Sequence, residues 1–243
     1  MTFVHDSYTA VGGRKNNEEA LMISQRDSAL LYVVADGLGG HESGELASEI
    51  AVNEIKGIFD AAPDDFDPIV AIQSANTKIL QEQTNTGLKM KTTIVLAYVA
   101  NDKIVFAHVG DSRAYAFKDK AIIYQSIDHS ASQMAVSIGE ITADQIRNHE
   151  DRNVLTRALG VAENIKVDVV SIPCSQVDAM ILCTDGFWEY VYEEDMLKTL
   201  SSSKNPDVWL YKMREALCKN IPISNDNNTA ITIMKRGKSE NKT

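Results

Sequence analysis

Four aspartates stand where a strand meets a turn. Asp36 follows LLYVVA, Asp111 follows IVFAHVG and Asp185 follows AMILCT, while Asp226 lies in an asparagine-rich turn just before a final strand. A carboxylate at the end of a buried strand is firmly held and only partly solvated, which is costly unless positive charge is near. Gathered at one edge, four such groups would repel one another strongly, so their convergence implies divalent metal. All-oxygen ligation suits Mg²⁺ or Mn²⁺, and the lack of paired His and Cys argues against structural zinc. Two such ions can lower the pKa of a bridging water and hold a phosphoryl oxygen for in-line attack. The same residues also read as ordinary Asp turns, a common use of aspartate, and spacing alone leaves both readings open.

The elements that would hold these groups can be read from periodicity. Residues 30–35 form an unbroken apolar run, read as a buried strand ending at Asp36, after which Gly37, Gly39 and Gly40 allow a tight turn. Leu46, Ala47, Ile50, Ala51, Ile55, Ile58 and Phe59 recur at helical spacing. Asp67 caps a second helix with Pro68 at its first position, and Ile69, Ile72, Ile79 and Leu80 supply its buried face. Strands are expected over 92–99, 104–109, 114–117 and 121–127, and the short turns between them imply antiparallel hairpins. His108, within a strand, reads as a satisfied core histidine. Residues 128–160 turn polar, with a capping-box signature at Thr142 and Gln145, and such an irregular insertion reads as a functional flap. Strands at 167–172, 179–183 and 229–234 follow, with helices at 193–200 and 206–219, the latter capped by Asn205. Residues 1–236 are expected to form a single catalytic domain, and 237–243 a polar tail.

Composition narrows the partners. The 243 residues are 44% hydrophobic, enough for a sizeable core, and carry a net charge of −10. That balance argues against a nucleic-acid or anionic-membrane surface, which would need clustered Lys and Arg. Three scattered cysteines, Cys174, Cys183 and Cys218, fit free thiols in a reducing compartment. No signal peptide is visible at the start, and no apolar segment approaches the ~20 residues that cross a bilayer. A cytoplasmic protein is expected.

The stretches RKNNEEA, VVADGLGGHESGELAS, TTIVLAYV, FAHVGDSRAY, DHS, GEIT with NVLTRALG, ILCTDGFWEYV and DNNTAITI occur in one order across nearly the whole chain. In them the sequence resembles the PPM family of metal-dependent Ser/Thr protein phosphatases (protein phosphatase type 2C), in its compact bacterial form. The resemblance implies an α+β fold, a four-layer α-β-β-α sandwich with two central antiparallel sheets flanked by helices and metals at one edge. It implies two Mn²⁺ or Mg²⁺ ions bridged by Asp36, with Gly37 ligating through its carbonyl and Asp185 and Asp226 holding the second ion. Glu18 would reach one metal or its waters, and Asp111 would contribute to a third, weaker site. Arg14 would bind the substrate phosphate, its fork matching two oxygens. The reaction implied is direct hydrolysis of phosphoserine and phosphothreonine by a metal-activated water. Phosphorylated proteins would be the partners, opposing a Ser/Thr kinase, and a monomer is expected.

The chain departs from the family pattern in places. Glu19 and Glu189 stand where the family usually has Asp, each adding a methylene that moves the oxygens, so direct ligation by Glu19 is not expected and the third site could be altered. Lys91 replaces a usual Gly. Leu38 stands where some members have a His proposed as general acid, and the nearby His41 reads as an exposed loop residue. A pseudophosphatase that keeps the fold as a binding module is disfavoured by Asp36, Asp185, Asp226 and Arg14. A nuclease is disfavoured by the acidic composition, and a kinase by the missing H-R-D and D-F-G motifs.

Overall fold

The structure is a computed structural model that describes residues 2–39 and 43–236, so His41 lies outside the described residues. Eleven strands among the described residues make two sheets. One runs in the order β1 (Phe3–Ala10), β11 (Asn228–Lys235), β10 (Ala179–Cys183), β7 (Arg113–Lys118), β8 (Ala121–Gln125). The other runs β2 (Glu19–Arg26), β3 (Ala29–Leu38), β5 (Ile94–Ala100), β6 (Lys103–Val109), β9 (Asp168–Pro173), with the two-residue β4 (Lys91–Thr92) beside the end of β3. All pairings are antiparallel.

Side-chain alternation along a strand explains the layering. In β3, Leu31, Val33 and Ala35 pack with Ile55 and Phe59 of α1 (Ser43–Ala61) and with Ile72 and Ile79 of α2 (Pro68–Thr86). The alternate residues Leu30, Tyr32 and Val34 meet Met180, Leu182, Ile231 and Ile233 of the opposite sheet. That sheet's outer face, with Tyr115, Phe117, Ile181 and Cys183, is covered by α4 (Asp185–Trp188), α5 (Glu193–Ser201) and α6 (Pro206–Asn220). The result is the expected α-β-β-α sandwich. A strand buried on both faces needs no polar alternation, which is why LLYVVA reads as a continuous apolar run. Among the described residues no helix is long and apolar enough to cross a membrane.

Several elements differ from the sequence reading. The strand holding Asp36 does not stop there: β3 continues to Leu38 because Gly37 and Leu38 pair with Thr92 and Lys91. Lys91 thus has a place, exposed on a short edge strand. The hairpin expected between β6 and β7 does not form, since the two strands lie in different sheets and residues 110–112 carry the chain across. β1 has no apolar run to announce it and is fixed by its pairing with β11. Asp67 caps α2 as expected, its side chain accepting from the N–H groups of Ile69 and Val70, but Ile69 is 40% exposed and does not join the buried face. Thr142 and Gln145 open a 3₁₀ turn, and Asn205 makes no side-chain cap bond. His108 is buried, with Nε2 2.8 Å from the Ile127 carbonyl oxygen.

Candidate active site

Backbone ties and close packing join the segments that carry the sequence-predicted carboxylates. The Asp36 carbonyl accepts from Thr93 N–H at 2.8 Å and from the Thr92 hydroxyl at 2.9 Å. The Asp36 N–H donates to Thr93 Oγ1 at 3.1 Å, and that hydroxyl lies 2.7 Å from the Ser112 hydroxyl. The turn carrying Asp111 is thereby joined to the strand carrying Asp36. Gly110 has φ +111°, and a Cβ there would sit 2.6 Å from Thr93 Cβ, so only glycine lets the two segments close in this way. A Cβ on Gly186 would likewise fall 2.0 Å from the Asn227 carbonyl oxygen, so the turn of Asp185 packs directly on that of Asp226.

The N-terminal loop is organised by Asn227, which sequence reasoning did not single out. Its Nδ2 donates to the carbonyls of Val11 (2.7 Å) and Asn16 (2.9 Å), while its Oδ1 accepts from Glu18 N–H at 2.9 Å. Arg14 is consequently beside the cluster, with Nη2 2.6 Å from Asp226 Oδ2, and the pair is half exposed. The Glu18 carbonyl accepts from Gly37 N–H and from the Ser48 hydroxyl, which sets the start of α1 against β3.

Glu19, Asp36 and Asp185 each offer a carboxylate oxygen, all within 4.8 Å of one another. Glu19 stands opposite Asp36 in the β2–β3 register and accepts from the Thr229 hydroxyl at 2.5 Å. The added methylene does not take Glu19 out of this group: its carboxylate oxygen stays beside those of Asp36 and Asp185.

Electrostatics describe the same convergence. Burial pushes the Asp36 carboxyl well above the usual carboxylate range, followed by the charges of Asp185, Glu19, Asp111 and Asp226. Asp111 is raised well above its ordinary value by burial, then by Asp185 and Asp128. Asp185 is raised to about 7 by burial, Glu189 and Asp226, and Glu19 to about 8, chiefly by burial. Four carboxyls made reluctant to ionise by burial and by one another are a donor set that a divalent cation would satisfy, and every ligand atom on offer is oxygen. The residues present therefore fit Mn²⁺ or Mg²⁺.

A second group, His108, His129 and Asp168, also lies within 4.8 Å. Its two imidazoles stack with centroids 4.7 Å apart and planes 13° from parallel, so their in-plane lone pairs run side by side and do not meet at one ion. His129 Nδ1 accepts from Gly110 N–H, while its Nε2 lies 2.9 Å from Arg157 Nη1 and 3.3 Å from Asp168 Oδ2. This is a brace for the turn before Asp111.

The irregular 128–160 segment contains α3 (Ala131–Ser137) and the 3₁₀ turn Ala143–Asn148. It is tied to the site side by Arg147, whose Nη2 donates to both Glu193 carboxylate oxygens at 3.0 and 2.9 Å, and by Arg152, whose Nε is 2.9 Å from Glu189 Oε1. Glu189, the second departure, thus faces the flap through an ion pair.

A family model for protein phosphatase 2C matches residues 11–217. The serine/threonine phosphatase Stp of Listeria welshimeri is 34% identical over 210 residues, 81% of this chain and 83% of that protein. The crystal structure of the serine/threonine phosphatase Stp1 from Staphylococcus aureus superposes with a TM-score of 0.87 at 28% identity, covering 98% of this chain and 96% of that one. The catalytic domain of the serine/threonine protein phosphatase PstP, solved in complex with two manganese ions, shares the fold with a TM-score of 0.83 at 23% identity, covering 97% of this chain and 99% of that one.

Proposed function

Because the chain belongs to the protein phosphatase 2C family, we propose that it is a Mn²⁺- or Mg²⁺-dependent phosphoprotein phosphatase that hydrolyses phosphoserine and phosphothreonine. The observation that carries the reading is the half-buried oxygen cluster of Glu19, Asp36 and Asp185, with a guanidinium at its rim. Divalent ions bound there lower the pKa of water and polarise a phosphoryl oxygen. Asp36 would bridge two ions, assisted by the Gly37 carbonyl, with Asp185 and Asp226 on the second and Glu18 reaching the first. Glu19 would orient Asp36 and Asp185 or join them as a ligand. Asp111 would contribute to a third, weaker cation site. Arg14 would take the substrate phosphate by exchanging Asp226 for two phosphoryl oxygens. Residues 1–236 would act as one catalytic unit, with 128–160 as the flap that selects substrate. The biological reading is a cytoplasmic monomer that reverses a Ser/Thr kinase, in keeping with the acidic composition and sparse cysteines.

The test is hydrolysis of an aryl phosphate and a phosphothreonine peptide with Mn²⁺, beside an EDTA control and Asp36→Asn. Metal-dependent turnover that disappears in the variant is expected. A folded, Mn²⁺-loaded protein inert on both substrates would instead make the chain a binding module.

A further inference from the structure

Trp188 escapes any search for ligands, yet it joins three arms of the site. It lies on α4, the short helix that opens with Asp185, and is only 2% exposed. Its indole Nε1–H donates to the carbonyl oxygen of Asp111 at 2.9 Å. Arg113 covers the ring face, with Cζ 3.4 Å from the centroid. That guanidinium is itself fixed by Asp128, at 2.8 and 2.7 Å, and by the Tyr115 hydroxyl at 3.1 Å. From the flap, Arg147 Nε donates to the Trp188 carbonyl at 3.1 Å.

The indole bond matters because of what else holds Asp111. The preceding Gly110 is held by His129, whose Nδ1 accepts from its N–H and whose backbone N–H donates to its carbonyl, and the following Ser112 is anchored through its hydroxyl to Thr93. The carbonyl of the buried Asp111 is the remaining handle on this residue, and Trp188 takes hold of it from the helix that begins with Asp185. A donor on one carboxylate's helix thus grips the backbone of another.

Resting on the phosphatase reading above, we propose that Trp188 is a positioning residue of the reaction. By spanning α4 and the 110–113 turn it fixes the separation of the Asp185 and Asp111 carboxylates, and with it the affinity of the weaker cation site at Asp111. Removing a partner that orients a metal ligand characteristically costs about 10–100-fold in metal affinity or activity.

Benzothienylalanine at position 188 keeps the indole shape and the aromatic face for Arg113 and replaces only the N–H donor, by sulfur. Mn²⁺ binding to the full chain is followed by isothermal titration calorimetry, alongside kcat and KM on the phosphothreonine peptide and a thermal melt. In the variant the weaker Mn²⁺ step is expected to lose about tenfold in affinity, with the tighter steps and Tm preserved. The kcat should fall with KM unchanged, and excess Mn²⁺ should restore it. A purely structural role would lower Tm and weaken every Mn²⁺ step together, which overturns the proposal. So would a wild-type-like titration, or a wild type with no weaker step. Trp188→Phe, which also removes the fused ring from a buried site, is the companion variant. Its Tm should fall, yet the weaker Mn²⁺ step should still lose more affinity than the tighter ones, and an equal loss at every step overturns the proposal. The titration needs no turnover, so its outcome is separate from that of the Asp36→Asn test.

Discussion

At Asp185 and Glu19 the folded chain holds protons that the unfolded chain releases, because burial raises these carboxyls to about 7 and about 8. For a carboxyl raised on folding, the stability linked to its proton is whole below the ordinary carboxylate range. It is lost as pH climbs through the raised values. In EDTA, the protein is therefore expected to melt at a lower temperature at about pH 8.5 than at about pH 5. Metal needs the deprotonated groups, so Mn²⁺ affinity should rise over the same interval, which calorimetry at the two pH values would check. Glu19→Gln separates the two effects. At about pH 8.5, where Glu19 is ionised, removing its charge from the cluster should raise the metal-free Tm by roughly 2–4 °C, equivalent to about 1 kcal/mol at this chain length, while weakening Mn²⁺ binding. A fall in both would mean that the Glu19 carboxylate is needed for packing more than for charge.

At the scale of elements, the arms of the site meet because the chain changes sheets at residues 110–112. Gly110→Ala would add a Cβ against Thr93 at a positive φ and is expected to cost about 1–3 kcal/mol in urea denaturation, with Mn²⁺-dependent turnover falling as Asp111 shifts. What the sequence disclosed follows from the same geometry. Asp36, Asp111 and Asp185 were legible because each ends or closely follows an apolar run that can only be a buried strand. β1 was not, since FVHDSYTA acquires its structure from pairing with β11, a partner more than two hundred residues away. The sheet change was also hidden, because a short turn between two strands looks the same whether they pair or part. The place of Glu19 was hidden for a comparable reason: spacing shows that a side chain is longer, while only strand register shows that it stands opposite Asp36. Trp188 and Asn227 left no signal beyond their residue types, since their contribution is one hydrogen bond or a few to a distant backbone.

For the whole molecule, the apolar layer between the sheets keeps the two halves of the site in register. Ile231 is fully buried there, on the strand that follows Asp226. Ile231→Ala should destabilise the protein by about 2–5 kcal/mol. Because this residue touches no part of the carboxylate cluster's chemistry, kcat per folded molecule should hold while the urea midpoint drops. Loss of kcat in molecules that remain folded would mean that the inter-sheet layer also tunes the cluster.

β11 lies between β1 and β10, and Asp226 with Asn227 stands at its head. Of the described strands β11 comes latest in the chain, and its head clamps the loop between Val11 and Glu18 and adds Asp226 to the carboxylate group. A nascent chain still short of residue 226 has Arg14, Asp36, Asp111 and Asp185 in hand but lacks the piece that assembles them. A fragment ended before residue 226 is therefore expected to show no Mn²⁺-dependent turnover, and adding back the missing segment as a separate peptide would check whether that segment is what assembles the site.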